Sequence, residues 1–342
     1  MYYHAYFYFV SAQINGFEIP DILKLSATLA SVNFHQVVVC TNLEWKNIPS
    51  TNITVIKPPP LSELAVRHLR EYRRTLREAM CYSNHQETEE LCLLRWHAYL
   101  DYLKSQDSLV LVAMIDWDTF VLQSPSDILP QIGTRSKYVL IYPDVPQIDH
   151  PVYSVCPHYL IATPLVVELY IKYYLKLLFR LRHLFPKRSY AQPARLFLLN
   201  DMRAWSSVIS FFNSMKHTDV FTGQWSELID RNRYCYDHNI RVLREGDLIF
   251  LAKSHTIPRD KRINFTGSDQ LRIKLFNLDQ KTNQVFCYTK SNITAGGKNW
   301  DTEGSFTPQM PICLHFSGTE SKYILNAYYM QLFRSILCAR YS

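Results

Sequence analysis

Hydrophobic and polar positions alternate along the first half of the chain in blocks that read as strand, helix, strand. Residues 5–11 read as a first strand, and 19–32 as an amphipathic helix after a turn at Asn15-Gly16. Short β-branched runs at 35–41 and 52–57 predict two more strands, and Pro58-Pro59-Pro60 then stops regular structure. Two helices follow, a charged one at 63–80 and a second at 89–104. Residues 109–115 form an unbroken apolar run, the mark of a strand buried on both faces. Further strands are expected at 139–142 and 159–163, and helices at 166–185 and 204–214. From 241 to 312 the pattern changes to short strands and turns, and a last helix is expected at 321–337. The alternation predicts an α/β fold with a mainly parallel central sheet flanked by helices. No internal repeat or low-complexity linker divides the chain, so one domain over 1–342 is expected.

Composition narrows the function classes. The 342 residues are 47% hydrophobic and 20% charged, and 37 Lys and Arg against 30 Asp and Glu give a formal charge of +7, a folded globular balance. There are only 9 Gly, and neither a Walker P-loop nor a G-x-G-x-x-G fingerprint occurs. Tyr (23) and Phe (18) suit sugar or base stacking, but an ordinary aromatic core uses them equally well. None of the eight cysteines forms C-x-x-C or zinc spacing, so they read as reduced and buried. Sequons begin at Asn52, Asn264 and Asn292. The first residues lack the pattern of a signal peptide, so the sequons read as chance and a cytoplasmic setting is expected.

The chemistry concentrates at Asp116-Trp117-Asp118, directly after the apolar run. Ligands of open α/β sheets bind outside the carboxyl ends of the strands. In an extended backbone residues i and i+2 share a face, so both carboxylates can converge on one ion. Two hard oxygen donors suit Mg²⁺ or Mn²⁺, which offset charge on a diphosphate leaving group. By itself D-x-D is a weak signal that a surface turn also produces; its place after a buried strand favours the metal reading. Near the C-terminus, His315-Phe316-Ser317-Gly318-Thr319-Glu320-Ser321-Lys322 opens the last expected helix. His315 can bind a metal, Gly318 permits close approach of a phosphate, and Lys322 with helix-start N–H groups can cradle a diphosphate. Taken alone, a Gly turn before a solvated Lys explains this segment.

Together the two segments resemble glycosyltransferases of the GT-A fold: D-x-D at Asp116–Asp118, and H-x-x-G-x-x-K at 315–322, similar to the glycogenin-like and galactosyltransferase-like retaining branch. The resemblance implies a Rossmann-like nucleotide-sugar half at about 1–125, with an acceptor half and closing segment at about 126–342. It implies a nucleotide-sugar donor, UDP-linked above others, and a glycan, protein or lipid-linked acceptor, with retaining transfer favoured over inverting. It places a Mn²⁺ or Mg²⁺ on Asp118 and His315, Asp116 near ribose and metal, and Lys322 on the diphosphate. The branch usually carries an N-x-G-like segment after D-x-D, where this chain reads Ser154-Val155-Cys156-Pro157-His158-Tyr159. Two rival classes use the same residues: a non-catalytic nucleotide-sugar or glycan-binding protein, and a metal-dependent phosphoryl-transfer enzyme.

Other positions carry weaker signals. Arg95, beside Trp96 on the helix before D-x-D, suits phosphate or base contact, and equally a surface Arg beside a core Trp. Asn200-Asp201 opens a helix with Met202, Trp205 and Val208 on one face. Asp201 is a candidate acceptor contact or catalytic base, against a plain reading as an N-cap. Trp225 and Trp300 can stack on sugars, although packing explains them better. Lys172, Lys176 and Arg180 recur every four residues on an apolar helix. A core-packed helix with a solvated basic edge is the first expectation there, and peripheral membrane contact through 166–188 the second. A nucleic-acid partner is not expected, since no motif for one appears.

Overall fold

The computed structural model describes residues 2–11, 18–83, 85–129, 137–143, 157–186, 197–214, 219–245, 248–253, 273–279, 284–290 and 310–316. The expected helix at 321–337, together with Gly318, Lys322 and Trp300, lies outside the described residues.

A seven-stranded sheet forms the centre, in the order β10 (Val220–Gln224), β7 (Tyr138–Tyr142), β8 (Tyr159–Ala162), β5 (Val110–Ile115), β1 (Tyr2–Phe9), β2 (Gln36–Thr41), β3 (Ile53–Ile56). All pairings are parallel except those of β8, which runs antiparallel to both β5 and β7. The fold is therefore mixed α/β with a mostly parallel sheet, as the alternating pattern predicts.

The strands are apolar on both faces because both are covered. Ala5, Phe7, Val37, Val39, Ala113, Ile115, Ile141 and Ile161 point to one side, where α1 (Asp21–Asn33) packs Leu23, Ala27 and Ala30. Tyr6, Val38, Val112, Met114, Leu140 and Leu160 point to the other. There α2 (Glu63–Glu78), α3 (Gln86–Lys104), α5 (Pro164–Leu184) and α6 (Asp201–Ser214) supply Tyr72, Trp96, Tyr99, Tyr170 and Trp205. Helix starts follow local chemistry: the Ser62 hydroxyl accepts from the Ala65 N–H at 3.2 Å, and Pro164 occupies the first turn of α5.

Short elements between these carry connections that periodicity does not reveal: β4 (Cys81–Tyr82), β6 (Thr119–Val121), α4 (Pro125–Ile128), β9 (Phe197–Leu198) and α7 (Trp225–Leu228). The strand-rich stretch expected after residue 241 begins earlier, at β11 (Tyr234–Glu245). It continues through β12 (Leu248–Lys253), β13 (Ile273–Asp279), β14 (Gln284–Lys290) and β15 (Met310–Phe316). A second sheet has the order β12-β11-β15-β6, with β6 antiparallel to β15.

Among the described residues no helix is long and apolar enough to cross a membrane. Helix α5 buries Val166, Val167, Tyr170, Ile171, Tyr174, Leu178 and Leu181, while Lys172, Lys176 and Arg180 are exposed. That is a core-packed helix with a solvated basic edge. Cys40 and Cys92 are free thiols. At the first sequon, the Asn52 amide donates to the carbonyls of Ser31 (2.8 Å) and Phe34 (3.1 Å).

Candidate metal and donor site

The site grows from the carboxyl end of β5. The Asp116 N–H donates to the His158 carbonyl at 2.9 Å, closing the β5–β8 ladder, and the Asp116 carbonyl accepts from the Thr119 N–H at 3.0 Å. Residues 116–119 thus form a β-turn. This corrects the extended geometry expected for D-x-D: the chain reverses here so that β6 can join the second sheet. The turn is pinned on both sides. The Ser26 hydroxyl of α1 donates to the Trp117 carbonyl at 2.9 Å, and the Trp117 ring meets Phe9 at 5.3 Å.

Strand β6 then pairs with β15 in the register Thr119↔His315, Phe120↔Leu314, Val121↔Cys313. His315 Nε2 lies 3.5 Å from Asp118 Oδ1, and both side chains are buried. Donor atoms of Asp116, Asp118 and His315 all lie within 4.8 Å of one another. Among the described residues, the buried His315 Nδ1 has no hydrogen-bond partner. Two carboxylates and one imidazole are a donor set suited to Mn²⁺ or Mg²⁺, and a spread of this size lets all three reach one ion.

Behind the imidazole stands His158, which sequence reasoning left out of the site. Its ring stacks on His315 at 4.2 Å between centroids and 10° between planes, and its Nε2 is 2.7 Å from the Tyr236 hydroxyl. Its one sequence signal is its position immediately before an apolar strand.

On the other side of Asp116, Arg95 of α3 bridges two acids. Its Nη1 is 2.5 Å from Asp116 Oδ1, and its Nη2 is 2.7 Å from Asp201 Oδ2. Trp96 Nε1 donates to that same Asp201 oxygen at 3.2 Å. Both terminal nitrogens of Arg95 are thus committed to carboxylates within the protein. Asp201 is the first residue of α6, and the cap is Asn200, whose Oδ1 accepts from the Arg203 N–H at 3.1 Å. The plain N-cap reading of Asp201 is thereby corrected: Asn200 does the capping, which leaves the Asp201 carboxylate for Arg95 and Trp96.

Glu89, six residues before Arg95 on α3, completes this acidic group. Its donor atoms, with those of Cys92 and Asp201, fall within 4.8 Å of one another. Burial, then the Asp201 charge, push its carboxyl up to about 8, against the opposing pull of Arg95. Asp116 is also raised, by burial first and by Asp118 beside it, while Arg95 pulls the other way. The neighbourhood carries more carboxylates than Arg95 alone offsets, an environment that a bound cation relieves.

Trp225 belongs to the core: its Nε1 donates to the Tyr159 carbonyl at 2.8 Å, and its ring stacks on Tyr159 at 4.5 Å.

Fold and site together define an α/β protein with an acid–acid–imidazole cluster at the carboxyl edge of its central sheet. No family model matches the chain, and no curated protein matches it. Among solved structures, the chain shows similarity to the glycosyltransferase PaToxG, at 9% identity and a TM-score of 0.33, over 62% of this chain and 71% of that one. It is also similar to mouse xyloside xylosyltransferase 1 in its apo form, at 10% identity and a TM-score of 0.35, over 69% and 87%. The functional reading rests on the site's own residues.

Proposed function

We propose that the chain is a divalent-metal-dependent glycosyltransferase of GT-A type, moving a sugar from a nucleotide-diphosphate donor, UDP-linked first, to a hydroxyl acceptor on a glycan, protein or lipid-linked carrier. The observation that carries this reading is the convergence of Asp116, Asp118 and His315, brought together across about two hundred residues of sequence by the β6–β15 pairing.

In this reading Asp116, Asp118 and His315 hold Mn²⁺ or Mg²⁺. When bound, that ion supplies positive charge against the donor diphosphate. Arg95 orients Asp116 through its 2.5 Å contact and ties it to Asp201. Asp201 stands at the N-terminus of α6 as the acid for the acceptor side, where it contacts the acceptor in a retaining reaction or removes its proton in an inverting one. Gly318 and Lys322 follow His315 in sequence and are assigned to the diphosphate by their motif alone. Peripheral membrane contact through α5 remains part of this proposal, supported by its exposed Lys172, Lys176 and Arg180.

The test is donor turnover. Incubation with a panel of nucleotide sugars and Mn²⁺ should release nucleotide diphosphate slowly, and an acceptor hydroxyl should accelerate it. Absence of release from every donor, or equal release from Asp118→Asn, overturns the reading.

A further inference from the structure

Helix α2 carries Arg67, Arg70, Arg73, Arg74 and Arg77 within eleven positions. They do not form one uniform surface. Arg74 pairs with Glu78 on its own helix at 2.9 Å, and Arg67 is exposed elsewhere on the helix. Arg70, Arg73 and Arg77 instead line a groove of about 500 Å³, together with Val66, Leu69 and Leu76, and Gln86 of α3 closes one wall. The groove is open to solvent, since Val66, Arg70, Arg73, Arg77 and Gln86 are all exposed.

The charges in the groove are unequal. Arg73 is locked: its Nε and Nη2 reach the two oxygens of Glu90 at 2.8 and 2.6 Å, and Gln86 also donates to Glu90 at 2.8 Å. Among the described residues, Arg70 and Arg77 form no ion pair and no acid lines the groove. The two lie two helical turns apart, about 10.5 Å along the axis, with the fixed Arg73 between them. Guanidinium groups form forks that match phosphate oxygens. Positive charge without a counter-charge, beside three aliphatic side chains, calls for an anion with an apolar part attached.

We propose that this groove binds a phosphate ester, with Arg70 and Arg77 on the phosphate and Val66, Leu69 and Leu76 under the organic portion. Arg73, held by Glu90, sets the floor between them. A soluble phosphoester and the headgroup of a phospholipid share this chemistry. The site is independent of the glycosyl-transfer reading and stands or falls separately from it.

The experiment uses the full chain in EDTA and in the Asp118→Asn background, so that diphosphate-type binding at the candidate metal site is removed. Hexyl phosphate and inorganic phosphate are titrated calorimetrically. Hexyl phosphate should bind more tightly than inorganic phosphate. Arg70→Gln with Arg77→Gln should weaken it about tenfold or more, while Arg67→Gln stays within about twofold. Sedimentation with phosphatidylcholine vesicles, with and without phosphatidic acid, distinguishes the sources. Retention by phosphatidic acid that depends on Arg70 and Arg77 assigns a lipid headgroup, and hexyl phosphate binding without retention assigns a soluble ester. Failure of hexyl phosphate to bind, or equal losses in Arg67→Gln and the double variant, overturns the proposal, because the arginines then act only as a diffuse basic surface.

Discussion

Thr119 and His315 face one another across the antiparallel β6–β15 pair, and that register sets Asp118 beside the imidazole. The site's geometry is therefore a property of strand pairing as much as of the D-x-D turn. Asp118→Asn keeps the turn and the pairing but removes one anionic ligand. The variant should melt within a few degrees of wild type and lose Mn²⁺ binding, as read by the paramagnetic resonance of free Mn²⁺. Wild-type Mn²⁺ affinity in Asp118→Asn would exclude the cluster as the metal site.

Asp201 and its neighbour Asn200 separate capping from chemistry. Asn200→Ala removes the cap of α6 and should cost about 1 kcal/mol with turnover retained. Asp201→Asn keeps a hydrogen-bond acceptor for Trp96 but removes an anion from Arg95. It should cost about 1.5–3 kcal/mol in urea unfolding, since hydrogen bonds to charged groups are worth that much. It should also reduce transfer about 10²-fold or more if the carboxylate works on the acceptor. Full turnover in a destabilised Asp201→Asn protein would leave the residue a purely structural role.

The His158–His315 stack makes a further separable prediction. A side chain that holds a metal-binding histidine in place typically changes metal affinity about 10- to 100-fold when removed. His158→Ala should weaken Mn²⁺ binding by the lower part of that range, and His158→Phe, which keeps a flat ring against His315, should recover most of it. Tyr236→Phe, which removes the hydroxyl 2.7 Å from His158, should have a smaller effect in the same direction. Equal Mn²⁺ affinity in all three variants would show that the stack only fills space.

The His68–His97 pair and Glu89 give opposite pH dependences. His68 and His97 meet at 3.1 Å inside the helical layer, and burial lowers them to about 3 and about 4; for His68 the His97 charge adds to the effect. The unfolded chain protonates these histidines near 6.5, so it takes up more protons than the fold as pH falls below that value. Stability should then drop by up to about 2.7 kcal/mol per pH unit between roughly 6.5 and 4, one unit of slope from each histidine. Glu89 has the reverse sign. Its folded value is raised to about 8 from an ordinary 4.5, so its contribution is complete below 4.5 and is lost as pH rises toward 8. His97→Gln should flatten the acid limb of a urea-midpoint profile, and Glu89→Gln should flatten the alkaline limb. Unchanged limbs would mean that neither side chain titrates differently in the fold.

The order of the large elements was legible because each long strand and helix carries its own periodicity. Val110–Ile115 is apolar throughout because helices cover one face of the sheet and α1 with the second sheet covers the other. What escaped notice were elements too short to have a period. Three-residue β6 leaves no pattern in sequence, yet its pairing with β15 brings Asp118 and His315 together. The cap of α6 was misplaced by one residue because Asn and Asp both cap well, and only the hydrogen bond to the Arg203 N–H distinguishes them. His158 went unrecognised because stacking on His315 depends on a long-range contact that no local spacing encodes.

The pairing of β6 with β15 also orders events in time. Asp118 leaves the ribosome about two hundred residues ahead of His315, and closing so long a loop is among the slower steps of folding. Until β15 arrives, the growing chain holds two acids at the end of β5 with no imidazole opposite them. The cluster proposed to hold a cation is therefore complete only late in synthesis, once the sheet that carries the acids has had time to form.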